Sequence, residues 1–391
     1  MPPTEASSGD RPYLIDVSRL IWRFWTRRLP TGIDRVCLAY LEHFGDRAQA
    51  VMQRGGHQII LTAKHSDRLF ALLLSGRAGS RARLVHILAA AMPSAMTARA
   101  RPGAFYLNVG HTGLNEPSLP TWIAANRLRA VYMVHDLIPL THPQYCRAGE
   151  ASKHERRMTN MLASAHGVIG NSAATLVDLA SFAAAQGLPM PRTVAAWISG
   201  PPPRVAPRKR LLGSPYFVTL GTIEGRKNHL LLLDIWRDLV RDLGQSAPTL
   251  VVIGQRGWEA AQALAMLDEP SMFAGKVVEL NHCADDQLAD WIAGARALLM
   301  PSFAEGFGLP IIEALELGCP VIASDLPVFR EIGGNIPTFL DAHDREQWAD
   351  HVRQFVSDHP ERSRQIEQMK AYQPPDWRQH FTIVDDWLSS L

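Results

Sequence analysis

The chain is poor in cysteine, in long apolar runs and in net charge. Its four cysteines lie far apart among 391 residues and fit no metal or redox spacing. Three of them lie in segments with a helix or strand pattern, which predicts buried thiols in a reducing compartment. No apolar run approaches the roughly 20 residues that span a bilayer, and the polar N-terminus lacks a signal-peptide core. A formal net charge of +2 provides no global field for nucleic acid. We therefore expect a cytoplasmic protein without a nucleic-acid partner.

Two common nucleotide-binding motifs are also absent. No Gly-x-Gly-x-x-Gly follows the strand-like runs that begin at Tyr13 and Tyr216, which argues against a Rossmann oxidoreductase. No loop ends in Gly-Lys-Ser or Gly-Lys-Thr, which excludes an ordinary P-loop nucleotide hydrolase. Any nucleotide must therefore bind through a different set of residues.

The pattern of apolar runs predicts two α/β domains. Strand-like and helix-like segments alternate through the first half, and the alternation restarts after a Pro-rich stretch at 200–210. With 47% hydrophobic residues, the chain can bury two cores. We predict an N-terminal domain over 1–205, a C-terminal domain over 206–375, and a terminal helix over 376–391 that packs back towards the first domain. Both domains are expected to be doubly wound parallel sheets, facing each other across a cleft.

Several helix boundaries can be predicted from periodicity and capping. Thr31 is a suitable N-cap for a helix over 32–44, whose apolar residues share one face. The apolar periodicity of residues 229–243 predicts another helix there. Ser66 is predicted to cap a short helix, and another helix is expected over 288–297.

The most informative segment is Glu305-Gly306-Phe307-Gly308-Leu309-Pro310-Ile311-Ile312-Glu313. It follows a strand-like run and leads into a short helix with Pro310 at its first position. Two carboxylates thus flank a glycine-containing turn, where backbone N–H groups can face a phosphate or a sugar. Ionised carboxylates only accept hydrogen bonds, so they prefer hydroxyl donors to phosphate oxygens.

A second glycine loop is Gly221-Thr222-Ile223-Glu224-Gly225-Arg226-Lys227-Asn228, between a predicted strand and a predicted helix. Its adjacent cations suit a diphosphate, because arginine can fork onto two oxygens and lysine supplies a mobile point charge. A nucleotide sugar offers a diphosphate, a ribose diol and sugar hydroxyls, so it could satisfy Arg226, Lys227 and both glutamates. The two loops therefore predict a nucleotide-sugar site.

The segment from Glu305 to Glu313 resembles the E-x7-E signature of retaining family 4 glycosyltransferases, which have the GT-B fold. The 221–228 loop resembles the phosphate-binding Arg-Lys motif of that family, and the likeness covers most of residues 215–335. Order, spacing and flanking strands all agree, so the motifs are specific as a set.

The resemblance implies a role for each of these residues. Glu305 would hold hydroxyls of the donor sugar, and Glu313 would hold the hydroxyls of the ribose. Arg226 and Lys227 would neutralise the leaving diphosphate. The backbone N–H groups expected to face the sugar and the phosphates are those of Phe307, Gly308 and Leu309.

The N-terminal half has a looser likeness to the acceptor domain of the same family. A strand over 131–134 leads into His135 and Asp136, and His135 resembles the family histidine that contacts the donor sugar near the reaction centre. Gly32 resembles the glycine after the first strand, where backbone approaches the diphosphate. His111 and Asp136 are candidates for the acceptor pocket. The alternative for each histidine is a purely structural role.

No Asp-x-Asp triplet, the usual Mg²⁺ or Mn²⁺ ligand pair of the other main transferase fold, occurs in the sequence. Fixed cations and N–H dipoles would instead stabilise the departing diphosphate, which predicts a metal-independent hexosyltransferase without a cofactor. Retention of anomeric configuration follows from the resemblance. The expected donor is a GDP- or UDP-linked sugar, with GDP-mannose first. The expected acceptor is a glycan or lipid-linked intermediate of surface polysaccharide, including lipopolysaccharide.

Two other functions stay open at this point. A nucleotide-sugar epimerase or hydrolase on the same fold would process the donor without an acceptor, and a non-catalytic binding protein would not turn it over. Arginines cluster at 23–35 and 81–101, which indicates either solvated helix ends or peripheral contact with the inner membrane.

Overall fold

The computed structural model describes residues 11–27, 31–76, 80–95, 97–200 and 211–391, except for the side chains of 285 and 286. The chain divides into two compact units. The first comprises the chain up to Leu137, Ser152–Ile198 and Asp376–Leu391, and the second comprises Ile138–Ala151 and Ser199–Pro375. The predicted domain boundary at residue 205 and its basic flank, 208–210, lie outside the described residues.

Thirteen strands occur in the described chain. They are β1 (Tyr13–Asp16), β2 (Ala48–Arg54), β3 (His57–Ile60), β4 (Phe105–Asn108), β5 (Arg129–Val134), β6 (Ala165–Gly170), β7 (Arg192–Ala195), β8 (Tyr216–Leu220), β9 (Thr249–Ile253), β10 (Val277–Leu280), β11 (Leu298–Met300), β12 (Val321–Ser324) and β13 (Thr338–Leu340). The first sheet has the order β3-β2-β1-β4-β5-β6-β7, and the second has the order β10-β9-β8-β11-β12-β13. Both sheets are parallel, apart from the antiparallel hairpin of β2 and β3.

Sixteen α-helices connect these strands or follow them in the described chain. They are α1 (Ser18–Thr26), α2 (Gly32–Phe44), α3 (Ala63–Leu74), α4 (Arg81–Ala95), α5 (Ser118–Ala125), α6 (Ile138–Thr141), α7 (Glu150–Ser164), α8 (Ala173–Ala185), α9 (His229–Leu243), α10 (Ala261–Leu267), α11 (Asp285–Gly294), α12 (Leu309–Glu316), α13 (Pro327–Gly333), α14 (Arg345–Val356), α15 (Pro360–Met369) and α16 (Trp377–Ser390). The prediction of two doubly wound α/β sheets is confirmed by these strand orders.

The second sheet has its core on strands that are buried along their whole length. All five residues of β8 and all five of β9 are buried, as expected for apolar, largely β-branched or aromatic runs in a parallel sheet. Helix α9 packs its apolar face on this sheet through Leu232, Ile235 and Trp236, which are at most 1% exposed. The loops at the carboxyl ends of these strands are thereby held on a rigid support.

Two segments join a unit that is distant in sequence. Helix α16 belongs to the first unit and contacts α2, where the hydroxyl of Tyr40 lies 2.9 Å from Nε2 of His380. The segment Ile138–Ala151, which follows β5, belongs to the second unit, where the ring of Tyr145 stacks on Phe303 with centroids 5.1 Å apart. Of these two segments, only Ile138–Ala151 lies in a different unit from the one that the predicted ranges give it.

Candidate functional site

The two loops singled out in the sequence leave the second sheet side by side. Strands β8 and β11 are neighbours, although β9 and β10 lie between them in sequence. The chain runs outward from β8 in one direction and from β11 in the other, so the carboxyl ends of these strands mark the switch point of the sheet. The loop 221–228 and the loop 301–308 both begin there.

Glu305 is the centre of a buried charge cluster formed by these loops. Its Oε2 accepts a hydrogen bond from Nη1 of Arg226 at 2.8 Å, and its Oε1 accepts one from Nζ of Lys227. The hydroxyl of Ser302 donates to the same Oε1 at 2.8 Å. Nη2 of Arg226 pairs with Glu224 at 2.7 Å. The side chains of Glu305 and Glu224 are only 6% and 4% exposed, so these pairs are shielded from water.

The cluster changes the proton affinities of its members. Burial by itself would raise the pKa of Glu305, but Arg226 and Lys227 outweigh this and lower it to about 2. Burial lowers the pKa of Lys227, and the attraction of Glu305 opposes that shift. Burial also raises the pKa of Glu224, against the attraction of Arg226. Glu305 is consequently ionised at neutral pH and holds both cations in place.

The hydrogen bonds around Glu305 limit what else it can bind. A carboxylate offers about four lone-pair sites, and three are occupied by Arg226, Lys227 and Ser302. When Arg226, Lys227 and the two glutamates of the cluster, Glu224 and Glu305, are all ionised, their positive and negative charges balance. The structure therefore adds an orienting role for Glu305 to its predicted contact with sugar hydroxyls.

The turn between Glu305 and α12 depends on a glycine. Gly308 has φ of +106°, in the left-handed region, and a Cβ at this position would lie 2.8 Å from the ring of Phe329. Both the backbone conformation and the available space therefore exclude a larger residue. Leu309 begins α12 and Pro310 follows it, so the helix N-terminus lies directly after the predicted ligand-facing residues Phe307 and Gly308.

Glu313 lies on α12, and its side chain is half-buried. Its Oε1 lies 3.6 Å from the position that a Cβ would take at Gly200. Glu313 lies within the first two turns of α12, the helix that follows Gly308.

In the first unit, His135 and His111 lie beyond the carboxyl ends of β5 and β4. Nε2 of His135 donates to the carbonyl oxygen of Val109 at 2.8 Å, and Nε2 of His111 donates to that of Met133 at 2.8 Å. Burial lowers the pKa of both imidazoles. Each ring is therefore neutral, with Nδ1 as an acceptor.

These two histidines are close to each other, with ring centroids 5.0 Å apart. His111 has φ of +59°, which is unusual for a non-glycine residue. Its bond to the backbone of β5 provides the structural role that was the alternative interpretation. Asp136, directly after His135, is half-buried, and its charge opposes the lowering of the His135 pKa by burial.

Gly32 is the first residue of α2 and is exposed. The N-terminal end of this helix contains a buried carboxylate. Asp34 is 1% exposed and accepts hydrogen bonds from the backbone N–H and the hydroxyl of Thr31. Arg19 and Arg23 pair with Asp34 at 2.6 and 2.9 Å. The predicted approach of a diphosphate to Gly32 would therefore occur next to one buried carboxylate and two guanidinium groups.

For three residues of the second-unit site, the sequence predicted no individual role. Ser302 and Glu224 contact the cluster directly, and Phe303 donates its backbone N–H to the carbonyl of Arg226 at 2.8 Å. Each lies within three positions of a predicted residue, but only the folded loops show that they touch it.

Neither metal-binding geometry nor a membrane-spanning helix occurs in the described part of the chain. No group of three or more His, Cys, Asp or Glu residues there could hold a metal ion. No helix there combines the length and apolar character needed to cross a bilayer.

Comparison with known families shows which proteins this chain resembles. Residues 206–372, which contain both loops, match the sequence profile of the family described as glycosyl transferases group 1. The match and the two-sheet architecture together support a glycosyltransferase family.

Some of the relatives are mannosyltransferases. The serotype-specific mannosyltransferase WbdA of Escherichia coli is 30% identical over 235 residues, which cover 55% of this chain and 29% of WbdA. The O-antigen chain mannosyltransferase B of Escherichia coli is 29% identical over 247 residues, which cover 61% of this chain and 64% of that protein. The chain therefore matches less than two thirds of the length of either relative.

Solved structures show the same fold at low sequence identity. HepE of Anabaena in complex with UDP superimposes with a TM-score of 0.67 at 16% identity, covering 97% of this chain and 99% of HepE. Sucrose-phosphate synthase of Thermosynechococcus elongatus gives a TM-score of 0.64 at 14% identity, covering 97% and 98% of the two chains. The predicted GT-B fold is confirmed.

Proposed function

We propose that the protein is a retaining, metal-independent family 4 glycosyltransferase that acts in the cytoplasm without a cofactor. It transfers a sugar, mannose in the first instance, from a GDP- or UDP-linked donor to a glycan or lipid-linked acceptor of surface polysaccharide. The observation that carries the proposal is the buried cluster of Arg226, Lys227 and Glu305 at the switch point of the second sheet. The mannosyltransferase relatives support the choice of sugar and of O-antigen-type acceptors.

The proposed chemistry uses charge that is already in position. Departure of a nucleoside diphosphate builds negative charge on the leaving oxygen and positive character on the sugar carbon. Arg226 and Lys227 stabilise the first, helped by N–H groups at the start of α12. The acceptor hydroxyl attacks from the face that the diphosphate leaves, and its proton passes to the departing phosphate. Glu305 fixes the two cations, Glu313 binds the ribose, and His135 contacts the sugar.

The test compares nucleotide release by the purified protein with GDP-mannose and UDP-glucose, in the presence and absence of membrane extract. Lys227→Ala should lower turnover by ~100-fold or more, because one such charge contributes a few kcal/mol to catalysis. Lys370→Ala is the matched control, since that exposed lysine pairs only with Glu367 at the surface. Equal turnover of the two variants would contradict the proposed site.

The same assay separates the remaining functions. Acceptor-dependent release supports transfer, whereas equal release without acceptor would indicate an epimerase or hydrolase. Nucleotide-sugar binding without any turnover would indicate a non-catalytic binding protein.

Peripheral contact with an anionic membrane is part of this proposal, and α1 is the surface that supports it. Trp22 and Trp25 are each 48% exposed on this helix. The guanidinium of Arg23 lies 5.2 Å from the Trp22 ring, and that of Arg81 lies 5.7 Å from the Trp25 ring. Exposed tryptophan beside arginine is typical of helices that lie at a bilayer surface.

The sequence on and near this surface is rich in arginine. The sequence contains no acidic residue over 17–33 or over 68–115, although both stretches contain several arginines. Flotation with phosphatidylglycerol vesicles should therefore recover the wild type but not Trp22→Ser/Trp25→Ser. Leu243→Ser, at a residue of the second unit that is 47% exposed, is the control and should float as the wild type does. Wild-type protein that stays unbound would contradict the membrane contact.

A further inference from the structure

The segment Ile138–Ala151 contacts both of the loops that form the charge cluster. It belongs to the second unit, although it begins three residues after His135. Within it, the ring of Tyr145 stacks on the ring of Phe303, with the ring planes 1° from parallel and the centroids 5.1 Å apart. Phe303 lies in the loop 301–308, so the segment reaches this loop through an aromatic stack.

The same tyrosine ring contacts the other loop, 221–228, at Gly225. A Cβ at Gly225 would lie 3.3 Å from Cδ1 of Tyr145 and 2.5 Å from the carbonyl oxygen of Glu259. The backbone of Gly225 is thus enclosed between the tyrosine ring and the backbone of Glu259, with no room for a side chain. Tyr145 therefore touches both loops.

The two contacts of Tyr145 flank the point where the loops are joined. Gly225 directly precedes Arg226, whose carbonyl oxygen accepts a hydrogen bond from the backbone N–H of Phe303 at 2.8 Å. Nη1 of Arg226 donates to the carbonyl oxygen of the next residue, Ala304, at 2.9 Å. Arg226 is thus attached to two consecutive residues of the other loop. Tyr145 packs on the residue before Arg226 and on the first of those two residues.

A second contact fastens the segment to the 221–228 loop. The guanidinium of Arg147 lies 4.7 Å from the ring centroid of Trp258. The carbonyl oxygen of Trp258 in turn accepts a hydrogen bond from the backbone N–H of Gly225 at 3.2 Å. Tyr145 is half-buried, and burial raises the pKa of its hydroxyl. The ring is therefore held against the loops and partly withdrawn from water.

We propose that Tyr145 is a positioning residue for the donor, which keeps Arg226 in the place where it meets Glu305 and the diphosphate. This inference rests on the proposed function and adds to the site a residue from outside both loops. The ring carries the effect, because the stack on Phe303 and the contact with Gly225 are both made by ring atoms. Without the ring, the junction of the loops would loosen and donor affinity would fall.

The test removes the ring in one variant and keeps it in another. Full-length wild type, Tyr145→Ala and Tyr145→Phe are titrated with GDP and UDP, and KM for GDP-mannose, UDP-glucose and acceptor is measured in the presence of membrane extract. Trp291→Leu is the matched control. Trp291 is a half-buried aromatic residue of the second unit, and it pairs with Tyr216 at the start of β8, the sheet edge opposite to the loops.

Tyr145→Ala should weaken binding of the nucleotide that the wild type binds by about 2- to 13-fold, the contribution of one aromatic pair. The donor KM should rise by a similar factor, and the acceptor KM should stay within about twofold of the wild type. Tyr145→Phe and Trp291→Leu should bind nucleotide as the wild type does. Wild-type affinity in Tyr145→Ala would overturn the inference, as would an equal loss in Tyr145→Phe, since the hydroxyl would then carry the effect.

A second measurement needs no nucleotide. If Tyr145 keeps Arg226 beside Glu305, removal of the Glu305 charge should matter less once the ring is gone. The shift in urea midpoint caused by Glu305→Gln should therefore be smaller in the Tyr145→Ala background than in the wild type, and equal shifts would overturn the inference. A wild type that binds neither nucleotide and transfers no sugar would contradict the proposed function, whereas the midpoint shifts would still decide the role of Tyr145.

Discussion

Replacing Glu305 by glutamine removes the negative charge between Arg226 and Lys227 and keeps the size of the side chain. In the folded protein these cations lower the pKa of Glu305 from 4.5 to about 2. At about 1.4 kcal/mol per pKa unit, the ionised carboxylate contributes about 3 kcal/mol to the free energy of unfolding. The side chain is only 6% exposed, so solvent screening removes little of this value.

The sign of the pH dependence follows from the lowered pKa. The contribution of Glu305 is fully present well above pH 4.5, the ordinary value, and is lost as pH falls towards 2. Glu305→Gln should therefore be less stable than the wild type by about 3 kcal/mol at pH 7, and the difference should shrink by about 1 kcal/mol at pH 4. Urea denaturation of both proteins at the two pH values measures this difference.

The charge cluster is also the proposed catalytic device, so turnover should fall with stability. We expect Glu305→Gln to lower turnover by ~100-fold or more while the protein remains folded, because both cations lose the carboxylate that positions them. Glu346→Gln, at an exposed site on α14, is the matched control and should change neither quantity. Near-normal turnover in Glu305→Gln, or a stability difference below about 1 kcal/mol at pH 7, would refute the reasoning.

Three further results are expected. Gly308→Ala should cost about 2 kcal/mol more in unfolding free energy than Gly275→Ala, because both glycines have positive φ but only Gly308 has a ring 2.8 Å from the new Cβ; equal losses by urea denaturation would contradict this. Burial lowers the pKa of His380 to about 4, so the folded state resists the proton that the unfolded chain binds below pH 6.5. The free energy of unfolding therefore decreases as the pH is lowered through that range. Between pH 7 and pH 5 the wild type should therefore lose about 2 kcal/mol more stability than His380→Gln, and parallel pH profiles would exclude this origin. Chelation with EDTA should leave sugar transfer intact, whereas abolition reversed by added Mg²⁺ or Mn²⁺ would show that protein cations do not replace a metal.

Local patterns were sufficient to predict several elements. Helix α2 and helix α9 span the predicted residues, 32–44 and 229–243, because an apolar face acts within each segment, together with the cap at Thr31 in α2. The predicted cap at Ser66 is wrong, since α3 begins three residues earlier, at Ala63, and Ser66 is buried in it. The helix predicted over 288–297 spans Asp285–Gly294 instead, and β11 begins soon after it.

The candidate site was also predicted only in part. The sequence predicted which residue types would carry the chemistry, because Arg226, Lys227 and the two glutamates stand in short glycine loops. It could not predict the contacts within the cluster, because the hydrogen bond from Ser302 to Glu305 and the ion pair of Glu224 with Arg226 depend on how the two loops fold. Three of the four cysteines were expected to be buried, and two of the four, Cys37 and Cys319, are.

By itself, the sequence determined the α/β class, the glycine loops and the acids and bases within them, since these depend on residue type, spacing and local periodicity. The tertiary structure alone decided that Arg226 and Glu305, which are 79 positions apart, form a hydrogen-bonded ion pair. The physical reason is the strand order, which places β8 beside β11 and brings their outgoing loops to one edge of the sheet.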